Sequence, residues 1–281
     1  MIARAAPSTP IHRRQSPDWV SAGLWSVGVG VFLFIYLPLL VVVVYAFHDS
    51  SIIAWPLKLG TLRWFSTLAH DRGMIDAALA SFKLAILTVM ISVTIGVPGA
   101  FVLDRMEFPG KEAFRRMVLL PLILPGIITG VALLTYFSLL KVSLSSGFPF
   151  VPGWPVVLGH SAALTSIVVT QVFARLQRVD RSQEEASQDL YASEWKTFWF
   201  VTLPNIRTAV LGAALLVFTL SLDEIAVTFF LIGRQNTLPL QIWGQLRRGI
   251  TPEVNAIATV IFALSVGVIV IWARLMKQDE R

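Results

Sequence analysis

Residues 184–204 read EEASQDLYASEWKTFWFVTLP, a polar and amphipathic stretch set between two long apolar runs. Ser182 precedes Glu185 by three residues, the spacing of a capping box, and Ser193 stands directly before Glu194 at a second helix start. The stretch predicts two short helices joined near 191–193, the second showing Trp195, Phe198 and Trp199 on one side. A hairpin of this kind sits where the chain returns to water, and its aromatic side suits docking.

Working outward, the flanks read as membrane. Hydrophobic residues are 55% of the 281 and charged residues only 14%, with a mean hydropathy of +0.70. A soluble domain carries about 25% charged residues, so the deficit is large. A hydrocarbon core of about 30 Å needs about 20 apolar residues per helix. Uncharged runs of that order cover 20–47, 84–103, 117–140, 156–174 and 254–273. A sixth, 208–233, is apolar except for Asp223 and Glu224. The expectation is an all-α polytopic membrane protein with about six transmembrane helices. Residues 1–18, with three prolines and few apolar side chains, are expected to form a disordered cytoplasmic tail. Residues 19–281 form one membrane domain that includes the polar hairpin 180–205.

The net charge of +6 and pI near 10.0 are explained by placement rather than by nucleic acid. With the N-terminus in the cytoplasm, fifteen of the 23 Lys and Arg residues fall in cytoplasmic segments, seven in outer loops, and Lys83 within the second span. This positive-inside bias puts both termini in the cytoplasm. No basic cluster is interleaved with stacking aromatics, so nucleic acid is not an expected partner, while membrane lipid is. The first apolar run is too long for a signal h-region and is read as an uncleaved anchor. With no cysteine, neither a disulfide nor a thiolate metal site is possible.

No phosphate-binding G-x-x-x-x-G-K-[ST] loop occurs, and no H-E-x-x-H or G-x-S-x-G motif. His12, His48, His70 and His160 are scattered, so no metal pair and no catalytic residue is expected. Pro121 and Pro125 free backbone carbonyls in the third apolar run and predict a kink there. Asp223 and Glu224 are the exception inside the apolar runs, because ionised carboxylates in hydrocarbon are costly and face a cavity or a partner. Two readings stay open for them. They brace a helix interface, or one of them meets a cationic solute on its path.

Glu185-Ala186-Ser187, then Asp189-Leu190-Tyr191-Ala192-Ser193, Phe198 and Val201-Thr202-Leu203-Pro204 resemble the EAA signature of ABC-importer permease subunits. That signature reads Glu-Ala-Ala, three residues, Gly, and about a dozen further residues to Leu-Pro. Ser187 stands in place of the second Ala, and Tyr191 in place of the usual Gly. Further on, Phe218-Thr-Leu-Ser-Leu-Asp-Glu, Thr228-Phe-Phe-Leu, Thr237-Leu-Pro and Arg247-Arg-Gly-Ile-Thr-Pro-Glu-Val-Asn-Ala look like the spermidine/putrescine-type branch.

The resemblance implies the type I ABC importer permease core, of the MetI-like kind. It implies that the hairpin is a coupling helix, with Glu185, Ala186, Ser187, Tyr191, Ala192, Ser193, Glu194, Leu203 and Pro204 as its ATPase-coupling residues. It also implies the partners: a similar second permease, two ATPase subunits that carry ATP-Mg, and an extracytoplasmic solute-binding protein, in a bacterial cytoplasmic (inner) membrane. The chain itself is then no enzyme and binds no cofactor. The solute implied is a polyamine such as spermidine or putrescine, with Asp223 and Glu224 as substrate-pathway candidates. An importer of amino-acid- or opine-like solutes is the near alternative. An ion-gradient-driven secondary transporter, with Asp223 or Glu224 as its proton site, is the alternative from another class.

Overall fold

A backbone in hydrocarbon must satisfy its hydrogen bonds internally, so apolar runs of this length become helices. The computed structural model describes residues 18–50, 56–145, 153–249 and 252–279, and each of the six apolar runs lies on helix there. Outside the helices the described residues contribute an isolated antiparallel bridge between His48 and Leu59. The expected disordered tail lies outside the described residues apart from Asp18.

The helices are α1 (Asp18–Ala46), α2 (Arg63–His70), α3 (Arg72–Arg105), α4 (Lys111–Ile123), α5 (Gly126–Leu139) and α6 (Trp154–Leu176). They continue with α7 (Ser182–Asp189), α8 (Glu194–Thr197), α9 (Leu203–Asp223), α10 (Ala226–Leu231), α11 (Leu238–Arg248) and α12 (Pro252–Asp279). A π turn, Phe198–Thr202, joins α8 to α9. Four stretches are long and apolar enough to cross a membrane: Trp19–Ala46, Arg72–Arg105, Trp154–Leu176 and Glu194–Asp223. The pair α4 and α5 makes a fifth if counted as one span, bent by 107°. The last apolar run, 254–273, lies on α12, of which Pro252–Gly267 is a shorter apolar stretch among the described residues.

The bend is the kink that the prolines predict, though far sharper. Pro125 has φ −56° and ψ 135° at the N-cap of α5, which leaves no way to continue α4 through it. The run 208–233 departs from expectation. It is not one helix but α9 followed by the short α10, with residues 224 and 225 between them.

The chain divides into two compact units, Met1–Ser66 with Thr251–Arg281, and Thr67–Ile250. In the first, α1 packs along α12, and Ala46, Trp64 and Ala256 form a small buried cluster. The Trp64 indole N–H donates to the His48 carbonyl at 2.8 Å, and His48 Nδ1 accepts the Lys58 N–H at 3.1 Å. Much of α1 keeps large apolar side chains exposed, Trp25 and Phe34 among them, as a lipid-facing helix does.

In the second unit α3, α6 and α9 share a core that includes Val97, Ala100, Leu103, Val168, Val172, Leu176, Ile206 and Val217. Gly96 makes this contact close: a Cβ there would fall 2.6 Å from Val168 Cβ. A second cluster, with Leu84, Phe137, Val156, Val157, Val227 and Leu231, gathers α3, α5 and α6 around α10. Gly126 and Gly130, spaced as a small-xxx-small pair, let α5 lie against the α10 backbone. A Cβ on Gly130 would meet Phe230 at 2.8 Å and the Ala226 carbonyl at 3.3 Å.

Candidate functional site

The hairpin is made by α7, α8 and the π turn. Asp180 opens it, its carboxylate accepting the Ser182 N–H at 3.0 Å. That backbone N–H, and then the Ser182 hydroxyl, hold the Asp180 carboxyl below the usual carboxylate range. The expected capping box of Ser182 and Glu185 does not form. Ser182 is the first helical residue, not the cap, and its N–H is already taken by Asp180. Glu185 is exposed, and its own N–H donates to the Arg181 carbonyl at 3.0 Å.

The C-terminus of α7 is a full Schellman motif. The Ala192 N–H donates to the Ser187 carbonyl at 3.2 Å, and the Tyr191 N–H to the Gln188 carbonyl at 2.8 Å. The residue after the C-cap must be left-handed, and it is Tyr191, with φ 59°. Tyr191 thus makes the turn for which the EAA signature uses Gly, at a cost of about 1–2 kcal/mol. Its ring is 98% exposed. Ser193 caps α8 as expected, its Oγ accepting the Lys196 N–H at 3.5 Å. Ser187, in place of the signature's second Ala, lies 3.0 Å from the Thr197 hydroxyl and ties α7 to α8.

Glu184, rather than Glu185, points inward. Arg105 Nη2 donates to its Oε1 at 2.8 Å, and the Thr202 hydroxyl donates to the same oxygen at 2.7 Å. Arg105 ends α3 and lies 3.3 Å from Asp104, which in turn pairs with Arg181 at 3.5 Å. Alongside this latch, the Phe198 ring packs on Phe101 of α3 at 5.4 Å. Asn205 donates to Gln183 Oε1 at 2.9 Å, and its carbonyl accepts from Arg175 Nε at 3.0 Å. The hairpin is therefore fastened to α3 and α9, and α9 in turn to α6. Periodicity alone could have raised Glu184, because adjacent helical residues point about 100° apart and only one of two glutamates can face inward.

Of the expected coupling residues, Glu185, Ala186, Tyr191, Ser193 and Glu194 are exposed at this tip, and Ser187 and Ala192 are half-buried. The Trp195 ring stacks on Phe198 and stays 69% exposed beside them. Leu203 and Pro204 lie apart from the tip, beyond the π turn. Leu203 packs on the core of α3, α6 and α9, and Pro204 occupies the first turn of α9.

The two acids of the apolar run part company at the break after α9. Asp223 is its last residue, and Glu224 leaves the helix with φ −73° and ψ 116°. Glu224 Oε1 accepts the Val227 N–H at 2.8 Å, one of the donors left open at the start of α10. This is the bracing role. Asp223 is exposed and has no hydrogen-bond or ion-pair partner among the described residues. Both line a cavity of about 260 Å³ with Pro121, Gly126, Thr129 and Leu220, where the two broken helices meet.

Residues 93–278 match the family model of the binding-protein-dependent transport system inner membrane component. The chain belongs to this family. It is 34% identical over 261 residues to the putrescine transport system permease protein PotI of Escherichia coli (strain K12), covering 89% of each. It is 32% identical over 252 residues to the spermidine/putrescine transport system permease protein PotC of the same strain, covering 89% of this chain and 92% of that protein. Among solved structures, a chain of the bacterial alginate ABC transporter in complex with alginate pentasaccharide-bound periplasmic protein superposes with a TM-score of 0.70 at 17% identity, over 93% of this chain and 95% of that one. A chain of an amino acid ABC transporter gives 0.55 at 18% identity, over 78% and 100%.

The fold is thus that of ABC importer permeases, and the permease is a transport subunit, not an enzyme. Its many apolar helices are those of a multi-pass membrane protein, and its family works with a binding protein.

Proposed function

We propose that this permease moves a polyamine, spermidine or putrescine, into a bacterial cell. The observation that carries the reading is Asp223. It is a carboxylate without a partner among the described residues, set in a cavity between two broken helices. Desolvating a multiply charged cation is costly, and a fixed carboxylate along the path offsets that cost. The likeness to PotI and PotC supports the same solute class. The working assembly has this chain, a second permease, two ATPase subunits that bind ATP-Mg, and a solute-binding protein outside the cytoplasmic membrane. Both termini and the hairpin face the cytoplasm, in keeping with the positive-inside bias. ATPase closure pushes the hairpin tip, the Glu184 latch passes the movement to α3, α6 and α9, and the cavity at Asp223 opens outward. Hydrolysis returns it inward.

The test is uptake of labelled putrescine and spermidine by proteoliposomes holding the assembled importer. Asp223→Asn should lower uptake at least tenfold, about 1.4 kcal/mol or more, and leave assembly and basal ATP hydrolysis unchanged. Glu224→Leu, which removes the acceptor of the Val227 N–H, should instead reduce the amount of assembled complex. Saturable uptake of an amino acid with none of either polyamine would replace the solute assigned here.

A further inference from the structure

His160 has no part in the coupling site or in the cavity, yet both of its ring nitrogens are partnered in the buried core. It lies on α6 and is 1% exposed. Its Nδ1 is 2.9 Å from the Ser221 hydroxyl on α9, and its Nε2 is 2.8 Å from the Thr228 hydroxyl on α10. These two hydroxyls stand on opposite sides of the break that carries Asp223 and Glu224. The Thr228 hydroxyl donates its one hydrogen to the Glu224 carbonyl at 2.7 Å. It therefore accepts from His160 Nε2–H, while the Ser221 hydroxyl has one hydrogen to divide between His160 Nδ1 and the Thr88 hydroxyl. Ser221 Oγ is also 3.4 Å from the Thr88 hydroxyl of α3. Gly159 permits this closeness, since a Cβ there would come within 2.4 Å of Leu231 Cδ1 on α10.

We propose that His160 is the pin of this break: a positioning residue that makes α9 and α10 move as one body, so that Asp223 keeps its place at the cavity. The physical ground is that the helix ladder of α9 ends at the break and cannot transmit movement across it. A movement of α9 that begins at the hairpin reaches α10 through the two linking residues and the side chains that cross the gap. Within the hydrogen bonds of the described residues, the imidazole touches both sides. The inference rests on the permease reading and deepens it, but not on the solute being a polyamine.

The chain has no cysteine, so Val227→Cys introduces this chain's single thiol on the α10 side of the cavity wall. In the assembled importer, its reaction rate with a cationic methanethiosulfonate is measured without nucleotide and with ATP plus vanadate. The ratio of the two rates should be about tenfold with His160 present, within the usual range of coupling between sites. It should fall towards one in His160→Leu, with the quantity of assembled complex unchanged. His160→Gln keeps a donor for Thr228 and should restore part of the ratio. An unaltered ratio in His160→Leu overturns the proposal, whether the parent ratio is large or near one. So does a Gln variant that loses the ratio as completely as Leu. If His160→Leu does not assemble, the Gln variant decides alone: a partial ratio supports the pin, and a full or absent one overturns it. Because the readout is labelling and not uptake, the pin can fail while the polyamine reading stands, and the reverse.

Discussion

Tyr191 holds a conformation that a tyrosine does not choose. Its backbone is left-handed at φ 59° and the residue is 98% exposed, so no side-chain packing within the described chain offsets the strain. An aromatic ring carried at such a position suits burial in a partner's cleft. Tyr191→Gly should therefore split two effects. It relieves a backbone strain of about 1 kcal/mol, so the hairpin keeps its turn, and it removes the ring, so the ATPase subunits should co-purify at least tenfold less well. Co-purification equal to the parent would mean that the ring is not an anchor. Ala192, half-buried next to it, reports on the same contact from the side of charge. Ala192→Glu should leave the helices inserted and abolish both ATPase co-purification and uptake, because a mispaired interfacial charge costs several kcal/mol. A stable, transport-active Ala192→Glu complex would remove the coupling assignment from this hairpin.

The hairpin as an element depends on Glu184 more than on the glutamate of the signature. Glu184 joins Arg105 and Thr202 in a partly buried cluster, while Glu185 faces outward. Glu184→Arg should lower transport per ATP hydrolysed and destabilise the hairpin by about 1–3 kcal/mol, the usual loss for a hydrogen-bonded charge. Adding Arg105→Glu should recover a measurable part of the coupling, whereas Glu185→Arg should change ATPase affinity without needing Arg105. Transport per ATP that is the same in the single and double variants would exclude the latch as a lever. Here the sequence was legible in part. Two short helices, the Ser193 cap and the turn near 191–193 follow from residue type and spacing, because capping is local chemistry. Which of two adjacent glutamates faces inward is settled by tertiary contact with the end of α3, and Asp180, from outside the motif, takes the Ser182 N–H that the capping box would have used. The breaks divide the same way. Pro125 announces one of them, but no Gly or Pro occurs between 213 and 232. The other break is held by Glu224, Thr228 and His160, which only the fold brings together.

Across the whole molecule, the apolar runs were readable because each must be helical in hydrocarbon, but their sidedness follows from charge rather than from shape. One span makes the sidedness testable. α6 has 23 residues, about 35 Å at 1.5 Å per residue, which exceeds a hydrocarbon core of about 30 Å. The turn after α5 and the segment after α6 must then lie on opposite sides of the membrane. Val142 is exposed in the first, and Arg178 is exposed in the second, clear of the coupling tip. The basic residues Arg175, Arg178 and Arg181 gather at the second end, which the positive-inside bias assigns to the cytoplasm. With no native cysteine to confuse the result, a membrane-impermeant maleimide added to intact cells should label Val142→Cys and leave Arg178→Cys unlabelled. Permeabilised cells should label both. The reverse pattern would place the hairpin outside, where no ATPase could reach it, and would end the coupling mechanism while leaving the fold intact. Labelling of both sites from outside would instead mean that α6 does not span, and the importer architecture itself would have to be redrawn.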